Sequence, residues 1–449
     1  MAFRNFLKLV AGVSALVIAG CAEPAKTPVA SAMGENPVLE KPSTPLLPTL
    51  KVAEAVGWAA GQTPMAAEGL KVQAFASGLD HPRWLHVLPN GDVLVAETNA
   101  PQRPDEGGGI RGYFQGEAMK KAGAAAPTAN RITLLRDADG DGVAETKSEF
   151  LSGLNSPFGM ALAGGRLYIA NTDAVVSVPY LDGLTRIGAA PDRLTDLPAG
   201  TRNHHWTKSL IASKDGSKLY ATVGSNSNAG ENGLDEEEGR ATIWEIDRAS
   251  GQKRLFATGL RNPNGMAWEP ASGVLWTAVN ERDELGHNLV PDYITSVKDG
   301  GFYGWPWSYF GQTVDTRVKP ERPDMVAKAI APDYALGAHT ASLGLTFAEG
   351  QKLGSEYASG AFIGQHGSWN RDPFSGYKVI FVPFAGGKPA GQAVDVLNGF
   401  IDAKKEIAWG RPVGVAIGKD GGLLVADDVG NAIWRVTSAS QQPQSVATR

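Results

Sequence analysis

The stretch PRWLHVLPNGDVLVAETN at residues 82–99 decides the fold, because its pattern recurs along the chain. It consists of an apolar strand, a turn with Asn90-Gly91, and a second apolar strand that ends in small polar residues. Five further copies lie at 157–173, 206–226, 263–281, 342–370 and 412–431. One hairpin pattern present in six copies is typical of a repeat architecture, whereas a β-sandwich would not repeat it.

A third apolar strand follows several copies, as in RITLLRD at 131–137 and TIWEID at 242–247. The copies start about 50 to 90 residues apart, which leaves room for four strands and their loops. We therefore predict an all-β fold, a six-bladed β-propeller with four-stranded blades over residues 66–440. The segment LKVQAFASG at 70–78 is expected to pair with the last blade and close the ring. The loops at the inner strand ends would form the mouth of a central channel, where a ligand would bind.

The N-terminus has the three parts of an export signal over residues 1–21. Arg4 and Lys8 supply the positive start, an uncharged apolar run follows, and small residues lead to Cys21, the only cysteine of the chain. This ending resembles a bacterial lipobox, in which the cysteine thiol is acylated. An ordinary signal peptide cut nearby is the alternative. The pattern predicts a periplasmic lipoprotein that the lipid on Cys21 anchors to the membrane.

The segments before and after the repeats lack the repeated hairpin pattern. Residues 22–65 are rich in Pro and Ala and predict a flexible tether, and residues 441–449 predict a disordered tail. The net charge is −5 and the basic residues do not cluster, so the sequence does not favour a nucleic-acid partner. Membrane contact is therefore expected through the lipid alone.

Polar residues stand where the chain enters three of the copies. His204 and His205 precede the third copy, and a histidine of near-neutral pKa is the natural base for a hydroxyl proton. A histidine pair that only satisfies buried backbone groups is the alternative. Arg261 and Asn262 open the fourth copy, and Arg411 opens the sixth. Two arginines aimed at one axis would bind an anion with several carboxylates, although either one alone is more often a surface ion pair.

Long phrases of the sequence resemble a known family. HHWTKSL, GLRNPNGMAW, VNERDELG and DGGFYGWP together resemble the soluble, quinone-dependent glucose and sorbosone dehydrogenases. GQHGSWNRDPFSGYKVIFVPF at 364–384 and the phrase from Arg411 onward are similar to the sorbosone dehydrogenase branch. The resemblance runs from about residue 70 to the C-terminus. It implies an enzyme that oxidises a sugar or sugar aldehyde with bound pyrroloquinoline quinone (PQQ) and calcium.

The resemblance also implies roles for individual residues. His205 falls on the catalytic base, and Arg261 and Asn262 fall on the family's Arg-Asn pair at the cofactor. Further cofactor contacts fall on His204, Asn155, Asn228, Asn370, Arg371 and Arg411. The second arginine of the family's last blade is replaced here by Val413, which leaves one cation fewer for the quinone. The calcium loop of the family falls on 281–284, where Asp283 and Glu284 match best.

A second candidate calcium site is the stretch Asp137-Ala-Asp139-Gly-Asp141-Gly142. Oxygen ligands at alternate positions and a glycine at a sharp turn are what a calcium loop needs. Ser148 stands where an EF-hand places its bidentate glutamate, so the motif is incomplete. A solvated acidic hairpin is the alternative interpretation.

Two other classes of function remain open at this point. A calcium-dependent lactonase-type hydrolase would need several carboxylates that converge on one ion, whereas this chain offers cations and a histidine. A non-catalytic propeller that binds glycan or protein stays open because of Val413. No glycine fingerprint for a nicotinamide cofactor is found. The expected partners are a small sugar and, from the location alone, a respiratory quinone or cytochrome as electron acceptor.

Overall fold

The structure is a computed structural model of the 449-residue chain, and it describes residues 24–43, 50–104 and 116–440. The predicted signal peptide with Cys21 and the predicted tail 441–449 lie outside these residues. Within them, no helix is both long and apolar enough to cross a membrane.

Strands dominate the described residues. The described helical segments are short: residues 116–121, the 3-10 turns Val29–Ala32, Leu234–Glu237 and Ser355–Tyr357, and the α-helix Pro323–Val326. In chain order the strands are β1 Met33–Gly34, β2 Glu54–Ala55, β3 Met65–Ala66, β4 Leu70–Ser77, β5 Pro82–Val87, β6 Val93–Glu97, β7 Arg131–Arg136, β8 Thr146–Leu151, β9 Met160–Ala163, β10 Arg166–Ala170, β11 Ala174–Pro179, β12 Asp192–Asp196, β13 Leu210–Ala212, β14 Lys218–Val223, β15 Thr242–Asp247, β16 Lys253–Thr258, β17 Asn262–Trp268, β18 Leu275–Asn280, β19 Pro291–Ser296, β20 Gly301–Phe302, β21 Ser308–Tyr309, β22 Thr313–Val314, β23 Tyr334–Ala338, β24 Ser342–Phe347, β25 Gly360–Gln365, β26 Lys378–Ala385, β27 Lys388–Pro389, β28 Val394–Asn398, β29 Ile401–Asp402, β30 Ile407–Ala408, β31 Pro412–Ile417, β32 Leu423–Asp427 and β33 Ala432–Ser438.

Six sheets of the described chain contain four or more strands. In strand order they are sheet 1 (β5-β6-β7-β8), sheet 2 (β9-β10-β11-β12), sheet 3 (β13-β14-β15-β16-β20), sheet 4 (β17-β18-β19-β23-β1), sheet 5 (β24-β25-β26-β28-β3) and sheet 6 (β31-β32-β33-β4). The first four strands of each sheet pair antiparallel, and each sheet begins at one copy of the repeated hairpin. The predicted all-β fold of four-stranded antiparallel sheets is therefore confirmed, as is the pairing of 70–77 with the last sheet, through β33.

The first strands of the six sheets lie next to one another in a closed cycle, in which β31 of sheet 6 contacts β5 of sheet 1. Glycines of the repeated phrase make this close approach possible. A side chain at Gly159, Gly265, Gly344 or Gly414 would overlap the backbone of the next first strand. In these four copies, the glycine near the start of the first strand is thus required by the packing between neighbouring sheets.

The hydrophobic core is divided among the sheets. Six clusters of buried side chains each combine residues from two neighbouring sheets, and the cluster of Phe75, Leu85 and Ile433 joins sheet 6 to sheet 1. A strand such as β6 is buried at all five positions because both faces of its sheet are covered. This is why the inner strands appear in the sequence as continuous apolar runs.

The segment predicted as a tether differs from that prediction over its described part. Residues 33–34 pair with β23, residues 54–55 pair with β30, and residues 65–66 pair with β28. Ala32 and Ala53 are buried. These contacts are single short pairings without hydrophobic periodicity, so sequence patterns do not reveal them.

Candidate active site

A cavity of about 570 Å³ lies at the edge of the sheets where the first strands begin, as predicted for the mouth. Its polar lining comes from several sheets and consists of Arg103, Lys120, His204, His205, Arg261, Asn262, Asn280, Glu281, Asp283, Asp292, His339 and Asn370. Met119 and Trp369 add apolar surface. The cavity therefore combines a candidate base, several cations and several carboxylates.

The imidazole of His205 is oriented by Ser225, in the loop that follows β14. Its Nδ1 lies 2.8 Å from the carbonyl oxygen of Ser225 and 3.0 Å from the Ser225 hydroxyl. A carbonyl oxygen can only accept, so Nδ1 carries the proton and Nε2 is the basic nitrogen. Burial, and then the electrostatic interactions with His204 and Arg261, lower the pKa of His205 well below its usual value. The imidazole is thus neutral at neutral pH and can take up a proton.

Two buried groups support the backbone of the histidine loop. Lys208 is fully buried, and its Nζ donates to the carbonyl oxygens of His205 at 3.3 Å and Trp206 at 3.2 Å. The hydroxyl of Thr172 donates to Trp206 at 2.9 Å. Burial lowers the pKa of Lys208 well below its usual value. Sequence reasoning did not single out Lys208, although it lies within the quoted HHWTKSL phrase.

Arg261 is buried and held by three groups. Its Nη1 donates to the carbonyl of Glu281 at 2.6 Å, its Nη2 to Oδ1 of Asn228 at 3.0 Å, and its Nε to the Asn228 carbonyl at 3.2 Å. Asn228 therefore lies behind the arginine instead of lining the cavity. The neighbouring Asn262 is buried, and its Oδ1 has no hydrogen-bond partner among the described residues.

Asp283 connects the cations of the cavity. Its Oδ1 accepts from Nδ1 of His339 at 3.2 Å and from Nδ2 of Asn370 at 2.8 Å, and its Oδ2 lies 3.4 Å from Nη2 of Arg261. Burial raises the pKa of Asp283, but the hydrogen bond from His339 and the charge of Arg261 outweigh burial and lower the pKa to about 2. His339 also faces the Gly286 carbonyl with Nε2, at 2.9 Å. Both ring nitrogens of His339 thus meet acceptors, and its interaction with Asp283 raises its pKa despite burial.

Two further carboxylates line the cavity. Asp292 accepts from the backbone N–H of Glu281 at 2.9 Å and from the Thr340 hydroxyl at 3.0 Å, and burial raises the pKa of Asp292. Glu281 binds Arg282 through Oε2 at 3.0 Å, while its buried Oε1 has no partner among the described residues. Oδ1 of Asn370 is likewise buried and without a partner there. Unpartnered acceptor oxygens in one cavity call for a donor or a cation.

Besides Asn228, four residues predicted for this site lie outside the cavity lining, which differs from the prediction. Arg411 is buried and donates to the carbonyls of His366 at 3.0 Å and Gly367 at 2.8 Å. Arg371 is buried and donates to the His287 carbonyl at 2.9 Å. Asn155 is exposed and bonded to Asp173 at 3.0 Å, and Glu284 does not line the cavity. The sequence places these residues near the mouth, but side-chain direction and competing backbone acceptors decide where each one points.

Val413, at the position where the resemblance implies a second arginine, packs in an apolar cluster with Phe158, Trp206 and Leu343. These residues come from the first strands, or their starts, of four sheets. Val413 is fully buried. An arginine here would bury a charge among apolar side chains, so the replacement belongs to the packing near the axis.

The second predicted calcium site is formed by acidic groups on the turn between β7 and β8. Ligand oxygens of Asp137, Asp139, Asp141 and Glu145 all lie within 4.8 Å of one another. Asp137 also accepts from the backbone N–H groups of Gly140 at 2.7 Å and Gly142 at 2.8 Å. The turn lies at the edge of sheet 1 opposite the cavity, because β7 enters at the cavity side and ends at the turn. An ion there would not contact the cavity.

Comparisons with known proteins agree with this fold. A family model described as TrAA12-like matches residues 128–296 and 313–439. An uncharacterized protein of Borreliella burgdorferi is 28% identical over 295 residues, which cover 63% of this chain and 76% of that protein. The pyrroloquinoline quinone-dependent pyranose dehydrogenase of Coprinopsis cinerea is 24% identical over 359 residues, covering 71% of this chain but only 44% of that protein.

Solved structures show the same fold. The holo form of the PQQ domain of pyranose dehydrogenase from Coprinopsis cinerea superimposes with a TM-score of 0.66 at 21% identity. The match covers 86% of this chain and 100% of that one.

Proposed function

Because the chain belongs to the TrAA12-like family, we propose that it is a sugar dehydrogenase that uses PQQ, with His205 as general base. The curated relatives with assigned functions are sugar dehydrogenases, which supports a sugar oxidoreductase. The observation that carries the proposal is the state of His205: a neutral imidazole in the cavity, with Nδ1 committed to Ser225 and Nε2 left as the base.

The cavity residues fit an anionic quinone cofactor. PQQ is flat and carries several carboxylates, and the cavity of about 570 Å³ is lined by the cationic side chains of Arg103, Lys120 and Arg261. The buried Asn262 and Asn370 amides line the same cavity with unpartnered oxygens. When bound, PQQ would accept the hydride from the carbon atom that carries the sugar hydroxyl.

The chain itself would supply the proton acceptor and the orientation. Nε2 of His205 would take the hydroxyl proton, and the imidazolium that forms would be stabilised because Nδ1–H already donates to the Ser225 carbonyl. Asn370 offers an acceptor oxygen to a hydroxyl group of a sugar. A substrate panel that contains aldoses and a sorbosone-like aldehyde distinguishes these two substrate classes.

Calcium belongs to the same proposal. In loop 281–284, the Asp283 carboxylate already accepts from His339 and Asn370, and Glu284 lies outside the lining. The unpartnered Oε1 of Glu281, with Asp292 beside it, fits a hard cation better. We therefore propose Glu281 as the carboxylate that would hold calcium, whose charge would polarise the cofactor.

Three wider expectations are part of the proposal. The closed cycle of first strands and the six inter-sheet clusters support a six-bladed propeller. The N-terminal sequence supports a periplasmic lipoprotein anchored at Cys21. A membrane quinone or a cytochrome would then accept the electrons, and this expectation rests on the location.

The test is a titration of the full chain with PQQ and calcium, followed by a panel of sugars. Saturable binding and sugar-dependent bleaching of the quinone absorbance are expected. Absence of binding would contradict the proposal. Hydrolysis of a lactone without PQQ would instead identify a calcium-dependent hydrolase.

A further inference from the structure

An N-terminal strap, residues 24–43 and 50–58, crosses two loops that carry cavity residues. The first loop, 281–290, contains Glu281 and Asp283, and the second, 366–376, contains Asn370. The two loops meet at the cavity, where Nδ2 of Asn370 donates to Oδ1 of Asp283 at 2.8 Å.

The strap is bonded to the first loop. The backbone N–H of Ser43 donates to the Leu285 carbonyl at 2.9 Å. Nδ2 of the buried Asn288 donates to the hydroxyl oxygen of Thr27 at 2.9 Å and to Oε1 of Glu40 at 3.0 Å. Thr27 also donates to Glu40, so these three side chains form one network.

The strap is bonded to the second loop as well. The backbone N–H of Ala25 donates to the Asp372 carbonyl at 2.7 Å, and that of Lys51 donates to the Trp369 carbonyl at 3.0 Å. Nζ of Lys51 lies 2.7 Å from Oδ1 of Asp372. The strap therefore holds the backbone on both sides of Asn370.

Arg371 joins the two loops beneath the strap. It is 1% exposed, and its Nη2 donates to Oδ1 of Asn288 at 2.8 Å. Burial lowers the pKa of Arg371. Among the nearby acids, Glu40 has the largest effect in the opposite direction. A buried guanidinium needs hydrogen bonds and nearby negative charge, and Glu40 of the strap supplies part of that charge together with Asp372.

We infer that the strap is part of the active site, with Thr27 and Glu40 as positioning residues. Through Asn288 and Arg371 they set how loop 281–290 meets loop 366–376, and hence where Asp283 and Asn370 stand in the cavity. The inference concerns the cavity that the proposed function assigns to the cofactor, and its effect on PQQ affinity rests on that function.

The experiment compares the full chain with its Thr27→Val/Glu40→Gln double variant, and with Glu35→Gln as the control. Glu35 is an exposed acid of the same strap. We expect the Kd for PQQ to rise about tenfold in the double variant, which corresponds to the loss of one or two hydrogen bonds, and to stay unchanged in the control.

Hydrogen exchange gives a second readout that does not need the cofactor. The amides of Ala25, Ser43 and Lys51 are expected to exchange slowly in the wild type, and they and the Asn370 amide faster in the double variant. Strap amides that exchange in the wild type as in an unstructured peptide would overturn the inference. A lower melting temperature with wild-type PQQ affinity and wild-type exchange at Asn370 would also overturn it, because the strap would then only add stability. If the wild type binds no PQQ, the proposed function fails while the exchange data still decide the role of the strap.

Discussion

Gly224 provides a sharp test of how closely the site depends on the position of His205. A Cβ at Gly224 would lie 2.5 Å from Cβ of His205 and would also overlap Oδ1 of Asn262. Ordinary contact between carbon atoms is about 3.5 Å, so in Gly224→Ala the histidine must retreat by about 1 Å. A displacement of about 1 Å at a catalytic group costs about 100-fold in rate. We therefore expect kcat/KM to fall about 100-fold, with a stability loss of about 1–3 kcal/mol.

The assay is steady-state dye reduction with PQQ-loaded protein, together with thermal unfolding. Gly188→Ala is the matched control, because no atom would lie within 4 Å of its new Cβ. The control should keep wild-type kinetics. If Gly224→Ala also kept kcat/KM within a few-fold of wild type, the argument that His205 must stand where the structure places it would be refuted.

Three further predictions follow from the same geometry. Lys208→Met should keep or raise the melting temperature, because it removes a buried amine that has no ion pair within the described chain. The same substitution should lower kcat about tenfold, because the carbonyls of His205 and Trp206 lose a hydrogen-bond donor. Asp283→Asn should cost about 2 kcal/mol of stability above pH 4, because the folded pKa of about 2 lies below the ordinary 3.8. Stability from a lowered carboxyl pKa is lost as the pH falls, so this difference from wild type, measured by chemical denaturation, should shrink between about pH 4 and pH 2. Arg261→Ala should raise the Kd for PQQ at least about tenfold, because Arg261 lines the cavity. Arg411→Ala should lower the melting temperature with little change in that Kd, because Arg411 lies outside the cavity lining and binds backbone carbonyls.

The fold could be predicted because its determinants are local and repeated. The Asn90-Gly91 turn and the buried run of β6 lie side by side in the sequence, and the same combination recurs in each sheet. His205, Arg261 and Asn262 could be predicted for the same reason, since each stands at the start of a repeated strand. The position of these three residues within the repeat was therefore enough to predict that they lie at the cavity.

Other parts of the site could not be predicted from such patterns. Asp292 comes from β19 and His339 from the loop after β23, and the pairing of these two strands in sheet 4 brings both residues to the cavity. Arg411 stands at the predicted mouth, but two backbone carbonyls capture its guanidinium. The strap could not be predicted because its sequence shows neither periodicity nor a motif. Isolated backbone hydrogen bonds such as that of Ala25 hold it in place, and such bonds require no particular side chain.

The most direct test of the central claim is the reduction of bound PQQ by sugar in His205→Asn, followed in a stopped-flow spectrophotometer. The account predicts that this variant binds PQQ as tightly as the wild type but bleaches the quinone absorbance about 100-fold to 10,000-fold more slowly, the usual contribution of a general base. Bleaching at the wild-type rate in His205→Asn would show that His205 is not the base and would contradict the account.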